Sequence, residues 1–139
     1  MYLIKLNNKI FRTTQVYLDK ALKKFELSSG SYPYLMILRK NEGISQNQIS
    51  KELGYDKAMS ARMITKLINI GYLDKKKDET DSRAYKLYLT EKATAVIPKV
   101  GEEIRQLIDL ITQGLNPPEK AITVDSLSKI LSNIKKLTL

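Results

Sequence analysis

The stretch from Ser45 to Gly71 constrains this chain more than any other. Ser45-Gln46-Asn47-Gln48 fits a capping box, with Ser45 as N-cap and Gln48 placed to reach back to it. Ile44 and Ile49 have the spacing of a hydrophobic staple, so a short helix over Gln46 to Leu53 is marked at its first turn. Gly54-Tyr55-Asp56 offers a tight turn and a second N-cap, and helical periodicity then holds through Ile70 until Gly71 stops it. Helix, short turn, helix is the helix-turn-helix arrangement.

The flanks add to it. Beyond Gly71 the period changes from 3.6 to two: Tyr72-Leu73 opens one strand, and Tyr85, Leu87 and Leu89 alternate with Lys86 and Tyr88 in another. The polar segment Lys75-Lys76-Lys77-Asp78-Glu79-Thr80-Asp81-Ser82-Arg83 reads as the charged loop between them. Residues 3–25 form a long amphipathic helix, broken by Ser28-Ser29-Gly30-Ser31, and Pro33 sits in the first turn of another that runs to about Lys40. After Thr90, a candidate N-cap, a helix continues to Thr112 and is kinked at Pro98; Asn116-Pro117 starts a last one. In that last helix Val124, Leu127, Ile130, Leu131, Ile134 and Leu137 alternate steps of three and four, the pattern of a helix that packs on another helix. Such terminal helices are too apolar to stand alone, which predicts a homodimer.

Plotted at 100 degrees per residue, the helix 57–70 divides into two arcs. Met59, Met63, Ile64, Leu67 and Ile70 face the protein, and Ala58, Ala61, Arg62, Thr65, Lys66 and Asn69 face away. The outward arc suits a major groove. Arg62 has the fork for a guanine, Thr65 or Asn69 has the reach for base edges or phosphate, and the two alanines allow close approach. Gln46 and Lys57, at the two helix starts, join the predicted DNA contacts. In the loop, Lys75, Lys76 and Lys77 would meet phosphates and Arg83 the minor groove, aimed by an ion pair with Asp81. The loop carboxylates lack the order of a calcium-binding loop.

Composition removes alternatives. The chain of 139 residues has no Cys and no His, which excludes disulfides, thiolate nucleophiles, imidazole bases and the usual zinc ligands. No cofactor or metal is expected, and no carboxylate or lysine pair sits where a catalytic cleft would form. The net charge of +9 favours a polyanionic partner. It does not locate the binding face, since residues 1–40 carry eight basic and two acidic side chains while every later segment is nearly balanced. The longest apolar run, Tyr34 to Leu38, is far below the ~20 residues that span a bilayer. A soluble cytoplasmic protein is expected, with no membrane partner; a membrane-surface helix over 1–25 is diluted by Asn7, Asn8, Thr13, Thr14 and Gln15.

Ile70-Gly71-Tyr72-Leu73, followed by Asp78-x-x-Asp81-x-Arg83-Ala84 and Leu87-x-Leu89-Thr90, resembles the recognition-helix end, wing signature and exit strand of the MarR family of bacterial transcription regulators. Ile49-Ser50-Lys51-Glu52-Leu53-Gly54 and Arg62 are similar to its helix-turn-helix. Two positions depart from it: Ser82, where the family often has a basic residue, and Ala93, where a glycine commonly follows the Leu-Thr. The resemblance implies a mainly α chain with a small two- or three-stranded β-wing. It implies a single domain over 1–139, in which 1–30 and 91–139 are dimerisation helices around a winged helix-turn-helix lobe over 31–90. It also implies a homodimer on a pseudopalindromic double-stranded DNA operator, usually a repressor, released when a small aromatic or anionic effector binds. Tyr17, Tyr32 and Tyr34 are the candidates to line that ligand pocket, though ordinary core-edge packing explains them as well. A winged-helix module that contacts protein instead of DNA is the alternative function.

Overall fold

The computed structural model describes residues 2–81 and 83–137, so the departure at Ser82 lies outside the described residues. The chain is mostly helical. In order it forms α1 (Tyr2–Ala21), a 3-10 turn (Lys23–Phe25), α2 (Tyr32–Lys40), α3 (Gln46–Leu53), α4 (Lys57–Ile70), β1 (Leu73–Lys77), β2 (Tyr85–Leu89), α5 (Glu91–Ile111) and α6 (Pro117–Lys135). It divides into two compact units, Met1–Ile104 and Arg105–Leu139. Among the described residues no helix is long and apolar enough to cross a membrane.

In the first unit the helix ends behave as their side chains dictate. The Ser45 hydroxyl accepts from the Gln48 backbone amide at 3.1 Å, and the Gln48 side chain accepts from the Ser45 amide at 3.2 Å, so two otherwise orphaned donors are satisfied. Asp56 caps α4 by accepting from the Met59 amide at 2.7 Å. Gly54 and Gly71 close α3 and α4 at φ 70° and 95°, a region closed to most side chains. The core that these helices cover holds Leu22, Tyr34, Leu35, Leu38, Ile49, Ile64, Leu67, Leu73 and Leu87.

α1 ends earlier than its amphipathic pattern implies. Leu22 and Leu27 are both buried, and bringing them together folds the chain back on itself, with the Leu27 amide donating to the Leu22 carbonyl and Glu26 at φ 59°. The junction below α4 is tied three ways. Tyr72 donates its hydroxyl to the Phe25 carbonyl at 2.7 Å, Thr90 donates to the Gly71 carbonyl at 2.6 Å, and Lys92 donates to the Ile70 carbonyl at 2.6 Å. A lysine there answers both the unpaired carbonyls and the negative end of the helix dipole. Thr90 also accepts from the Ala93 amide, the N-cap role expected of it, and Ala93 is itself fully buried. The helix continues through Pro98.

β1 and β2 pair antiparallel, with Leu73 opposite Leu89, Lys75 opposite Leu87 and Lys77 opposite Tyr85. A one-residue bridge from Ser45 to Lys86 adds the start of a third strand. Lys75, Lys76 and Lys77 therefore belong to β1 and not to the loop between the strands. The second unit contains α6, opened by Asn116 and Glu119 in another capping box. α6 buries no residue, and Val124, Leu127, Leu131 and Ile134 are exposed along it.

Candidate nucleic-acid interface

α4 presents the two arcs that its periodicity predicts. Ile64 and Leu67 are buried, Met59, Met63 and Ile70 are half-buried, and Lys57, Ala58, Arg62, Thr65, Lys66 and Asn69 are exposed. Ala61 is half-buried at the margin. Ser60 belongs to neither arc as read from sequence, yet it is buried and its hydroxyl bonds that of Tyr34 at 2.9 Å. The signal for it was present: Ser60, Ile64 and Leu67 stand at i, i+4 and i+7, the core stripe of the helix. A hydroxyl is admitted to that stripe because the buried partner satisfies it. The bond joins α4 to α2 and so helps fix the angle at which Arg62 is offered.

The three tyrosines separate. Tyr34 is 0% exposed, and burial raises the pKa of its phenol above the ordinary value. It is a core residue. Tyr32 is half-buried and Tyr17 lies exposed on α1. A cleft of about 330 Å³ lies elsewhere, lined by Arg39, Glu42, Leu89, Thr94, Ile97 and Pro98.

The wing tip is organised by its own carboxylates. Asp78 accepts from the backbone amide of Thr80 at 2.9 Å and from its hydroxyl at 2.7 Å, and these bonds hold its carboxyl below the usual carboxylate range. The Asp81 carboxylate accepts the Arg83 backbone amide at 3.0 Å. That turn bond shapes the loop; the expected ion pair between Asp81 and the Arg83 guanidinium is not present among the described residues, and the Arg83 side chain is exposed. Asp78 and Asp81 are thereby turned toward the loop's own backbone, while Glu79 stays exposed between them.

A notch of about 280 Å³ opens between the start of α3 and the wing, lined by Ser45, Gln46, Asn47, Lys75, Arg83, Ala84 and Tyr85. The fold thus gathers Gln46, Lys75 and Arg83, which lie far apart in sequence. Gln46 Oε1 is buried there without a hydrogen-bond partner among the described residues. Lys76 lies on the other face of the hairpin, over the Tyr88 ring, and Lys77 is exposed at the strand end.

Residues 27–85 match the model of the MarR family. An HTH-type transcriptional regulator from Clostridioides difficile, BilQ, is 39% identical over 83 residues, which is 60% of this chain and 56% of that protein, so the chain spans little more than half of that relative's length. The HTH-type transcriptional regulator YybA of Bacillus subtilis is 30% identical over 114 residues, 82% of this chain and 76% of the relative. A MarR transcriptional regulator from Methanosarcina mazei superposes with a TM-score of 0.92 at 28% identity, covering 99% of each chain. Regulators solved with DNA are 24%, 20% and 18% identical and share the fold. With the capped helix-turn-helix, the two-stranded wing and a relative matched along most of its length, this chain belongs to the MarR family of transcriptional regulators.

Proposed function

We propose that this protein is a homodimeric repressor that binds a pseudopalindromic double-stranded operator, with 31–90 as the DNA-reading lobe and the helices of 1–30 and 91–139 as the dimerisation region. The observation that carries the reading is the exposed polar arc of α4, with Arg62 at its middle, in a unit whose wing also offers Lys75, Lys76, Lys77 and Arg83 to solvent. An α-helix fits the major groove, and a guanidinium there has a bidentate partner on guanine. Arg83 at the hairpin tip has the exposure that minor-groove insertion requires. Sequencing the fragments of its own genome that the protein retains is the test. An enriched inverted repeat with half-sites about one helical turn apart, ~10 bp, is expected. Recovery of unenriched DNA would turn the assignment toward protein contact.

The effector completes the reading. A small aromatic or anionic compound releases the DNA; Tyr34 is closed to it, leaving Tyr17, Tyr32 and the cleft beside Arg39. Salicylate is expected to weaken DNA binding, and DNA to weaken salicylate by the same factor, because coupling is reciprocal. Titrations of salicylate with and without duplex decide it, and equal affinities in the two would remove such a compound as the inducer.

A further inference from the structure

A lysine on a solvent-facing strand ordinarily samples many rotamers, and ordering it against a phosphate costs conformational entropy. Two lysines of the wing are already placed. Lys75 Nζ lies 4.0 Å from the centroid of the Tyr85 ring, and Lys76 Nζ lies 4.9 Å from that of Tyr88. The strand register is the reason. Lys77 stands opposite Tyr85 and Asp74 opposite Tyr88, so each lysine meets its tyrosine on the diagonal, one pair on each face of the hairpin. The two faces have different surroundings. Lys75 and Tyr85 line the notch with Gln46, Asn47 and Arg83, whereas Lys76 stands opposite Lys86.

We propose that Tyr85 is a positioning residue for DNA binding: its ring holds the Lys75 ammonium in the notch between the wing and the start of α3, set for a backbone phosphate before DNA arrives. The inference rests on the DNA-binding function proposed above. The negative face of the ring attracts the ammonium without neutralising it, so the charge is oriented and still available. Tyr85 is half-buried at the start of β2 and paired with Lys77, which makes it a firmer support than the lysine's own stem. Pre-ordering of this kind raises affinity by lowering the cost of binding and adds no contact to the complex.

A double-mutant cycle isolates the effect. On a mixed-sequence duplex long enough for both subunits, Tyr85→Leu is expected to weaken binding about two- to fivefold per subunit, the size of an exposed cation–π contact. Tyr85→Phe keeps the ring and is expected to bind as the wild type does. In a Lys75→Ala background, Tyr85→Leu should change nothing further. Additive losses, or a phenylalanine variant as weak as the leucine one, would overturn the proposal. A reading independent of DNA is the ring-current shift of the Lys75 ε-methylene protons in the free protein. It should be present in the wild type and Tyr85→Phe and lost in Tyr85→Leu, and its absence from the wild type would overturn the seat. Should the wild type bind no duplex at all, the DNA-binding function falls and this inference with it; an additive cycle on a wild type that binds overturns the inference alone.

Discussion

Arg62→Ala is expected to cost ~1–3 kcal/mol at each half-site of the operator and to relax sequence preference at one position in it. The side chain is exposed at the centre of the outward arc of α4, flanked by Ala58, Ala61 and Thr65, small residues that let the helix axis come close to the groove floor. A base contact of this kind is sequence-specific, so binding to a scrambled duplex should fall much less. Arg83→Ala should differ in kind. Its loss is expected to be largest where the sequence flanking each half-site is A·T-rich, since a narrow minor groove concentrates the potential that draws a guanidinium in. Lys76→Ala serves as the contrast, lowering affinity on all sequences and reducing the salt slope by ~1 per contact removed. Fluorescence anisotropy on operator and scrambled duplexes at several salt concentrations separates the three. If Arg62→Ala and Arg83→Ala both bind the operator as the wild type does, the winged helix does not read DNA, and a protein partner becomes the better account of its exposed arc.

The second large effect concerns assembly. Leu127→Asp combined with Leu131→Asp is expected to abolish the dimer, leaving monomer or unfolded chain in sedimentation at micromolar concentration. The two leucines are 48% and 53% exposed, in a helix that buries none of its residues and repeats its apolar positions at steps of three and four. α1 presents Leu3, Leu6, Ile10 and Phe11 to solvent in the same way. An interface made from such faces is of the large, apolar, obligate type, and carboxylates in it have no water and no partner. Loss of the second subunit also removes avidity, so operator affinity should fall by ~10²–10⁴. A double variant that remains dimeric with unchanged melting would show that α6 does not form the interface.

Local chemistry was enough to define the helix-turn-helix. The Ser45–Gln48 box, the Asp56 cap and the left-handed glycines at 54 and 71 each act within a few residues, so their signals are complete in the sequence. The two arcs of α4 were legible for a related reason, because one face had to be buried whatever lay beneath it. Features that depend on a partner distant in sequence needed the tertiary structure. Lys75, Lys76 and Lys77 resemble a solvated loop, since lysine has little intrinsic preference for a strand. They are in β1 because β2 pairs with them, and because Tyr85 and Tyr88 offer their rings from the opposite strand. Ser60 falls in neither arc; its spacing matches the core stripe, but the partner that admits a hydroxyl there, Tyr34, lies 26 positions away. Asp81 and Arg83 look like an ion pair from their charges, but at a spacing of two the carboxylate reaches the backbone amide first. Glu26 adopts φ 59° with no glycine to announce it, because burying Leu22 and Leu27 together outweighs the local preference of the residue between them. The notch that joins Gln46 to Lys75 and Arg83 exists only once β2 has laid the wing beside α3, and no pattern along the chain encodes that proximity.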